Sequence, residues 1–227
     1  MKYRLVRASS GIPGLDAMTQ GGLPFPSTIL AAGPAGTGKT TLGLQFLAQG
    51  AKEGETGLFI TTLSESVQWM LRFTANLNFL RREYFGKEII YDDFSGLIKG
   101  ADSYDQVLRA LEEKLTTVMP QRVVIDSVTV LERYKADYRD LLYDLSVLLK
   151  DVQATTILTG EVDPLEPYPV EVAHVVDGVI LLTSSLTTEG GRNRHLEVLK
   201  LRGTAHVTGR HLMALDRNGL SVQVGMG

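Results

Sequence analysis

Gly33-Pro34-Ala35-Gly36-Thr37-Gly38-Lys39-Thr40 follows the order G-x-x-x-x-G-K-[ST]. Each residue type in it has a task in holding a polyphosphate. The glycines let successive backbone N–H groups turn inward around oxygens. A helix starting at the lysine would aim its positive dipole end at the same place. Lys39 supplies a point charge for β- and γ-phosphates, and the Thr40 hydroxyl is a ligand for Mg²⁺. Gly33 to Thr41 is thus the expected nucleotide-binding set, with ATP and Mg²⁺ as its occupants. The alternative is a glycine-rich turn with a solvated lysine.

A second group belongs beside it. Arg122-Val123-Val124-Ile125-Asp126 is an apolar run ending in a carboxylate. Parallel strands bring their C-terminal ends to one edge, where a phosphate loop also lies. Asp126 can then hold the metal shell through water. Alone, an aspartate after an apolar strand is most often a turn residue.

The elements that must position these groups alternate. Ser27–Ala32, Gly57–Thr62, Glu88–Tyr91, Arg122–Asp126, Ala154–Thr159 and Val179–Thr183 have the composition of short buried strands. Helical spacing appears over Lys39–Ala51, Glu65–Leu77, Ser103–Val118 and Asp137–Val152. In the last of these, Leu141, Leu142, Leu145, Leu148 and Leu149 form the stripe and Asp137 suits the N-cap. Beyond Arg194 the pattern becomes hairpin-like, with a turn signal at Asn218-Gly219. This predicts an α/β fold: a mainly parallel sheet, helices on both faces, and an antiparallel C-terminal extension.

The chain has 227 residues, 44% hydrophobic and 22% charged, with net charge −3 and no cysteine. One domain over residues 1–227 is expected at that length. Lack of cysteine excludes disulfides, thiolate metal sites and cysteine nucleophiles. The start has no apolar signal-like region, and apolar runs are of strand length, where a membrane span needs about 20 residues. A cytoplasmic protein without a membrane partner is expected. Residues 192–217 carry Arg192, Arg194, Lys200, Arg202, Arg210 and Arg217 against Glu197 and Asp216, a local +4 on a body of −7. Such a segment faces phosphate or an acidic neighbour, unless it is a solvated strand face.

Three spaced motifs now carry a resemblance. Gly11-Ile12-Pro13-Gly14-Leu15-Asp16 with Gly21-Gly22-Leu23-Pro24, Val123–Ser127, and Val198-Leu199-Lys200-Leu201-Arg202-Gly203-Thr204 with His206 are similar, in this order, to motifs of the KaiC-like ATPases of the RecA superfamily. The resemblance runs nearly end to end. It implies a RecA-like P-loop fold, ATP hydrolysis and a homo-oligomeric, hexameric ring. It also implies that Lys200 and Arg202 reach a neighbour's ATP, with Thr204 and His206 near that nucleotide. Strand alternation would put these four on one face; a charged, aggregation-resistant strand edge is the plainer reading.

The chain departs from the family at the base. Family members commonly show two adjacent glutamates after the second strand, where this sequence reads Thr61-Thr62-Leu63-Ser64-Glu65-Ser66. Glu65 is the base candidate and Glu161 the next. Glu65 also suits a helix start favoured by the dipole, with Ser64 as cap. The residues before Asp177 carry no hydroxyl, so self-phosphorylation there is not expected. Clock members of the family hold two copies of the domain, and this chain holds one.

Two other functions compete with a ring ATPase: a nucleotide-gated regulator with little turnover and an unidentified protein partner, and a recombinase-like DNA-binding filament protein. Against DNA, the loop 161–169 holds Glu161, Asp163 and Glu166 and no basic residue. Ser184–Arg194 offers Arg192 and Arg194 but no aromatic platform.

Overall fold

The computed structural model describes residues 5–162, 168–188 and 190–225. Short strands β1 (Val6–Ala8) and β2 (Leu23–Phe25) pair antiparallel around a one-turn helix α1 (Leu15–Met18). The main sheet follows with β3 (Ser27–Gly33), β4 (Gly57–Thr61), β5 (Ile89–Asp93), β6 (Arg122–Asp126), β7 (Thr155–Glu161), β8 (Gly178–Leu186), β9 (Arg192–Leu201), β10 (Arg210–Asp216) and β11 (Gly219–Gln223). Its order is β11-β10-β9-β8-β3-β7-β6-β4-β5. Strands β3 to β8 run parallel, and β9, β10 and β11 continue the sheet antiparallel. The expected architecture is observed.

Helices α2 (Lys39–Glu53) and α3 (Val67–Phe73) cover one face; α4 (Ser95–Gly100), α5 (Tyr104–Val118) and α6 (Tyr138–Asp151) cover the other. The alternation of strand side chains makes this division. Ile29, Ala31, Phe59, Val124 and Ile157 pack with Leu44, Leu47 and Ala48 of α2. Their neighbours Leu30, Ala32, Leu58, Ile60, Val123 and Ile125 pack with Leu111, Leu115, Leu141 and Leu145. A short helix α7 (Val170–Val175) precedes β8. No helix among the described residues is long and apolar enough to cross a membrane.

Several boundaries differ from the sequence reading. The expected helix over 65–77 is only Val67–Phe73, because Ser66, not Ser64, caps it, its Oγ accepting from Trp69 N–H at 3.4 Å. Asp137 precedes α6 without a side-chain cap bond. Ser184–Arg194 is largely a β-ladder, with Ser184 opposite Arg194 and Leu186 opposite Arg192. Of the expected loop 161–169, Glu161 is instead the last residue of β7, and residues 163–167, including Asp163 and Glu166, lie outside the described residues.

The leading Gly-Ile-Pro-Gly-Leu-Asp motif has a structural explanation. Gly14 has φ +90°, and a Cβ there would sit 2.0 Å from the Val222 carbonyl oxygen. That close approach lets Val222 N–H donate to the Pro13 carbonyl at 2.7 Å. Gln45 of α2 completes the joint: its Nε2 donates to the Gly11 carbonyl at 2.8 Å and its Oε1 accepts from Leu220 N–H at 2.8 Å. The N-terminal segment, the phosphate-loop helix and the last hairpin are thereby fastened together.

Arg122, the largest fully buried side chain, fastens the other end of α2. It donates to the Ser9 carbonyl at 2.6 Å and the Phe46 carbonyl at 2.9 Å, pairs with Glu53 at 2.6 Å and with Glu55, and lies over the Phe46 ring at 4.6 Å. Arg122→Met keeps the apolar stem but leaves two buried carbonyls and two carboxylates without their cation. A loss of about 3 kcal/mol in unfolding free energy is expected by chemical denaturation, the range for breaking a buried ion pair. A loss under about 1 kcal/mol would mean that Arg122 does not carry this joint.

Candidate functional site

The parallel register gathers the site at one edge. Gly33 lies opposite Glu161, Ala31 opposite Thr159, and Thr61 opposite Asp126. The ends of β3, β7, β6 and β4 therefore stand side by side, and the chain leaving β3 becomes the phosphate loop. Gly36 has φ +76° and Gly38 φ +107°, the left-handed region that side chains resist. Gly38 is the N-cap of α2 and no side chain caps it, so the first N–H groups of the helix face the loop uncapped. Pro34, Ala35, Gly36 and Thr40 are exposed, while Thr37 is buried with its Oγ1 donating to the Pro34 carbonyl at 2.8 Å.

Lys39 is 5% exposed. Its Nζ donates to the Gly33 carbonyl at 2.7 Å and the Pro34 carbonyl at 3.0 Å, and pairs with Glu161 Oε1 at 2.9 Å. Thr40 Oγ1 donates to Asp126 Oδ2 at 2.7 Å, and Thr159 Oγ1 to Asp126 Oδ1 at 2.5 Å. The expected pair, Thr40 and Asp126, is thus in direct contact. Their oxygens form the hard donor set that Mg²⁺ takes, and they lie beside a loop suited to the phosphates that would complete its shell. The residues fit Mg-ATP. Thr41, half-buried, is the next residue of α2.

Glu65 stands ahead of α3, not within its first turn. Tyr91 OH donates to its backbone carbonyl at 2.7 Å. Partial burial first, and the charge of Asp126 second, hold the Glu65 carboxyl above its ordinary range. The strand ends beneath it are locked: Thr62 N–H donates to the Asp126 carbonyl at 2.8 Å, and Ser127 N–H to Thr62 Oγ1 at 2.8 Å.

Lys200, Arg202, Thr204 and His206 lie elsewhere. β9 runs antiparallel to β8, and its end, Leu201, pairs with Gly178, which pairs with Ile29 near the start of β3. This is the end of the sheet away from the phosphate loop. The strand stops at Leu201, where Thr204 N–H closes a turn onto the Leu201 carbonyl at 3.2 Å. The expected single strand face through residue 206 is therefore absent. Lys200 Nζ donates to the Ala173 and Val176 carbonyls at 3.1 and 2.6 Å, and Arg202 pairs with Asp177 at 3.0 Å. Burial, then the Arg202 charge, lower the Lys200 pKa, against the pull of Asp177. Thr204 Oγ1 accepts from Arg7 at 3.0 Å, and His206 Nδ1 lies 3.4 Å from the Thr204 carbonyl.

Sequence reasoning missed Thr159 and the contact between Lys39 and Glu161. For Thr159 the signal was available: a polar residue near the close of an apolar run that must end at the same edge as Asp126.

Sheet order, phosphate loop and strand-end carboxylate together define a P-loop core of the RecA type. The family profile "ATPase: KaiC" matches residues 8–225. A UPF0273 protein of Methanopyrus kandleri is 33% identical over 95% of this chain and 91% of its own length. The circadian clock oscillator protein KaiC of Parasynechococcus marenigrum is 32% identical over 97% of this chain, which spans 45% of that relative. The crystal structure of a KaiC-like protein from Pyrococcus horikoshii OT3 superimposes with a TM-score of 0.85 at 31% identity, over 97% of this chain and all of that one. The chain belongs to the KaiC-like ATPase family.

The Glu65 environment can be tested directly. In carboxyl-resolved NMR its titration midpoint is expected above the ordinary 4.5, and it should fall in Asp126→Asn, which removes the second cause of the shift. A midpoint at or below 4.5 would show that neither burial nor Asp126 acts on it.

Proposed function

We propose that residues 1–227 act as one Mg-ATP hydrolysing unit in a homo-oligomeric ring, with hydrolysis driving or timing a change of conformation. The observation that carries ATP chemistry is the assembly of Lys39, Thr40 and Asp126 under an uncapped helix N-terminus. Gly33 to Thr41 would hold the phosphates and Thr40 and Asp126 the metal. Mg²⁺, when bound, supplies charge neutralisation for the phosphoryl oxygens. Glu65 is the group for orienting and deprotonating water, and partial burial, which holds its carboxyl above the ordinary range, makes it a stronger base than a solvated carboxylate.

The paired test is Lys39→Ala and Glu65→Gln. The first is expected to lose Mg-ATP binding in calorimetry. The second should bind ATP while turnover falls by roughly 10² to 10⁴, the usual cost of losing a general base. The acid limb of the wild-type turnover profile should lie above pH 4.5, because the base works only when ionised and its pKa is raised. Undiminished turnover in Glu65→Gln would remove it from that role.

The ring rests on the far-end placement of Lys200 and Arg202, with the family resemblance beside it. They are at the wrong end of the sheet for their own phosphate loop, so a nucleotide contact from them requires a second subunit. A cation supplied in trans raises phosphoryl-transfer rates by about 10³ to 10⁵ in P-loop enzymes. Lys39→Ala and Arg202→Ala are each expected to be inactive, and mixing them should restore part of the activity, since some interfaces then pair an intact loop with an intact arginine. No recovery despite confirmed subunit exchange, or a fully active isolated monomer, would overturn the trans assignment.

A further inference from the structure

The three hydrogens of the Lys39 ammonium are all committed: two to the loop carbonyls of Gly33 and Pro34, one to Glu161. The third partner is an anion, held by the same nitrogen that would serve a nucleotide's terminal phosphates. The two members of the pair differ in freedom. Lys39 is 5% exposed and enclosed by the loop, whereas the Glu161 side chain is 52% exposed. Glu161's backbone is fixed, being the last residue of β7 and opposite Gly33 in the ladder. Its side chain can therefore swing into solvent while its Cα stays in place, and the lysine cannot follow.

We infer that Glu161 distinguishes the triphosphate from the diphosphate at this site. Its carboxylate occupies Lys39 when the γ-phosphate is absent and is expelled when that phosphate is present. The argument is electrostatic. ADP presents only its β-phosphate, and the ammonium can serve that group by releasing one loop carbonyl while it keeps Glu161. ATP adds a further anionic group at the same nitrogen, beside a carboxylate of like charge. Both cannot hold Lys39 at once. Glu161 thus lowers affinity for ATP more than for ADP, and the end of β7 carries a side chain whose position reports the γ-phosphate.

This rests on the nucleotide reading above, and the test separates the two. Calorimetry would measure the affinity of the full chain for a non-hydrolysable ATP analogue and for ADP, each with Mg²⁺, in wild type, Glu161→Gln and Glu161→Ala. Glutamine keeps the shape and removes the charge; alanine removes both. Glu161→Gln keeps an oxygen acceptor for the buried Lys39 ammonium, so it is the variant expected to keep the wild-type fold. In Glu161→Gln, affinity for the analogue is expected to rise roughly tenfold, the difference between a charge-assisted and a neutral competing hydrogen bond; in Glu161→Ala, where no competitor remains, it should rise at least as much, and in both affinity for ADP should rise less. An unchanged ratio of the two affinities would overturn the inference, as would weaker binding of the analogue, which would place Glu161 among the groups serving bound ATP. Failure of wild type to bind either nucleotide would overturn the nucleotide reading and this inference together.

Discussion

The Asp126 carboxylate is gripped by Thr40 from the phosphate-loop helix and by Thr159 from β7, and the site depends on that grip. A carboxylate 6% exposed at the end of a buried strand must be hydrogen-bonded, because leaving it unpaired costs several kcal/mol or shifts its pKa. Satisfying it demands that β6, β7 and the start of α2 stop at one level. The ladder supplies that level: Ile125 lies opposite Leu158, which puts Asp126 beside Thr159. Thr62 and Ser127 tie β4 to the same height from the other side. A change in any of these strand lengths by one residue would turn the side chain to the opposite face of the sheet.

The two fastenings of α2 follow from this. A helix whose first turn must be held at a fixed distance from Asp126 cannot slide. Gln45 pins its middle to the Gly11 carbonyl and to β11, and Arg122 pins its second half through Phe46 and Glu53. Both anchors are polar side chains in the interior, where a satisfied network fixes one arrangement more sharply than apolar packing does.

Much of this was legible in the sequence. The phosphate loop, the Asp126 strand and the order of strands and helices could be read because each rests on local rules: glycine conformations, apolar periodicity, strand-end placement. The antiparallel extension was legible from alternation and from Asn218-Gly219. What could not be read depends on contacts distant in sequence. Arg122 looks like an ordinary strand-start residue until Glu53, Glu55 and Ser9 are brought around it. The β9 alternation through Lys200 suggests a strand continuing to His206, yet Thr204 N–H closes onto the Leu201 carbonyl at 3.2 Å and turns the chain. Glu65 looks like a helix-start residue because its position ahead of the cap depends on Ser66, one residue on. Glu161 carries no local mark of its pairing with a lysine 122 positions earlier.

The two ends of the sheet are joined by a contiguous run of contacts. Pro169 packs on Gly160, where a Cβ would lie 3.1 Å from its ring, and Gly160 precedes Glu161. The Pro169 carbonyl accepts from Ala173 N–H at 3.0 Å, and the Ala173 and Val176 carbonyls accept from Lys200. Between these contacts lies α7, six residues long. A helix that short has little stability of its own. Val172 seats it in the core beside α6, the proline holds it at the phosphate edge, and the lysine holds it at the far edge. Adjacency alone does not couple two sites; coupling needs an element with two arrangements that both sites bias. Among the described residues, α7 lies between the strand bearing Glu161 and the carbonyls that hold Lys200, with Val172 fully buried beneath it, so any second arrangement would have to move a core side chain as well as these two contacts.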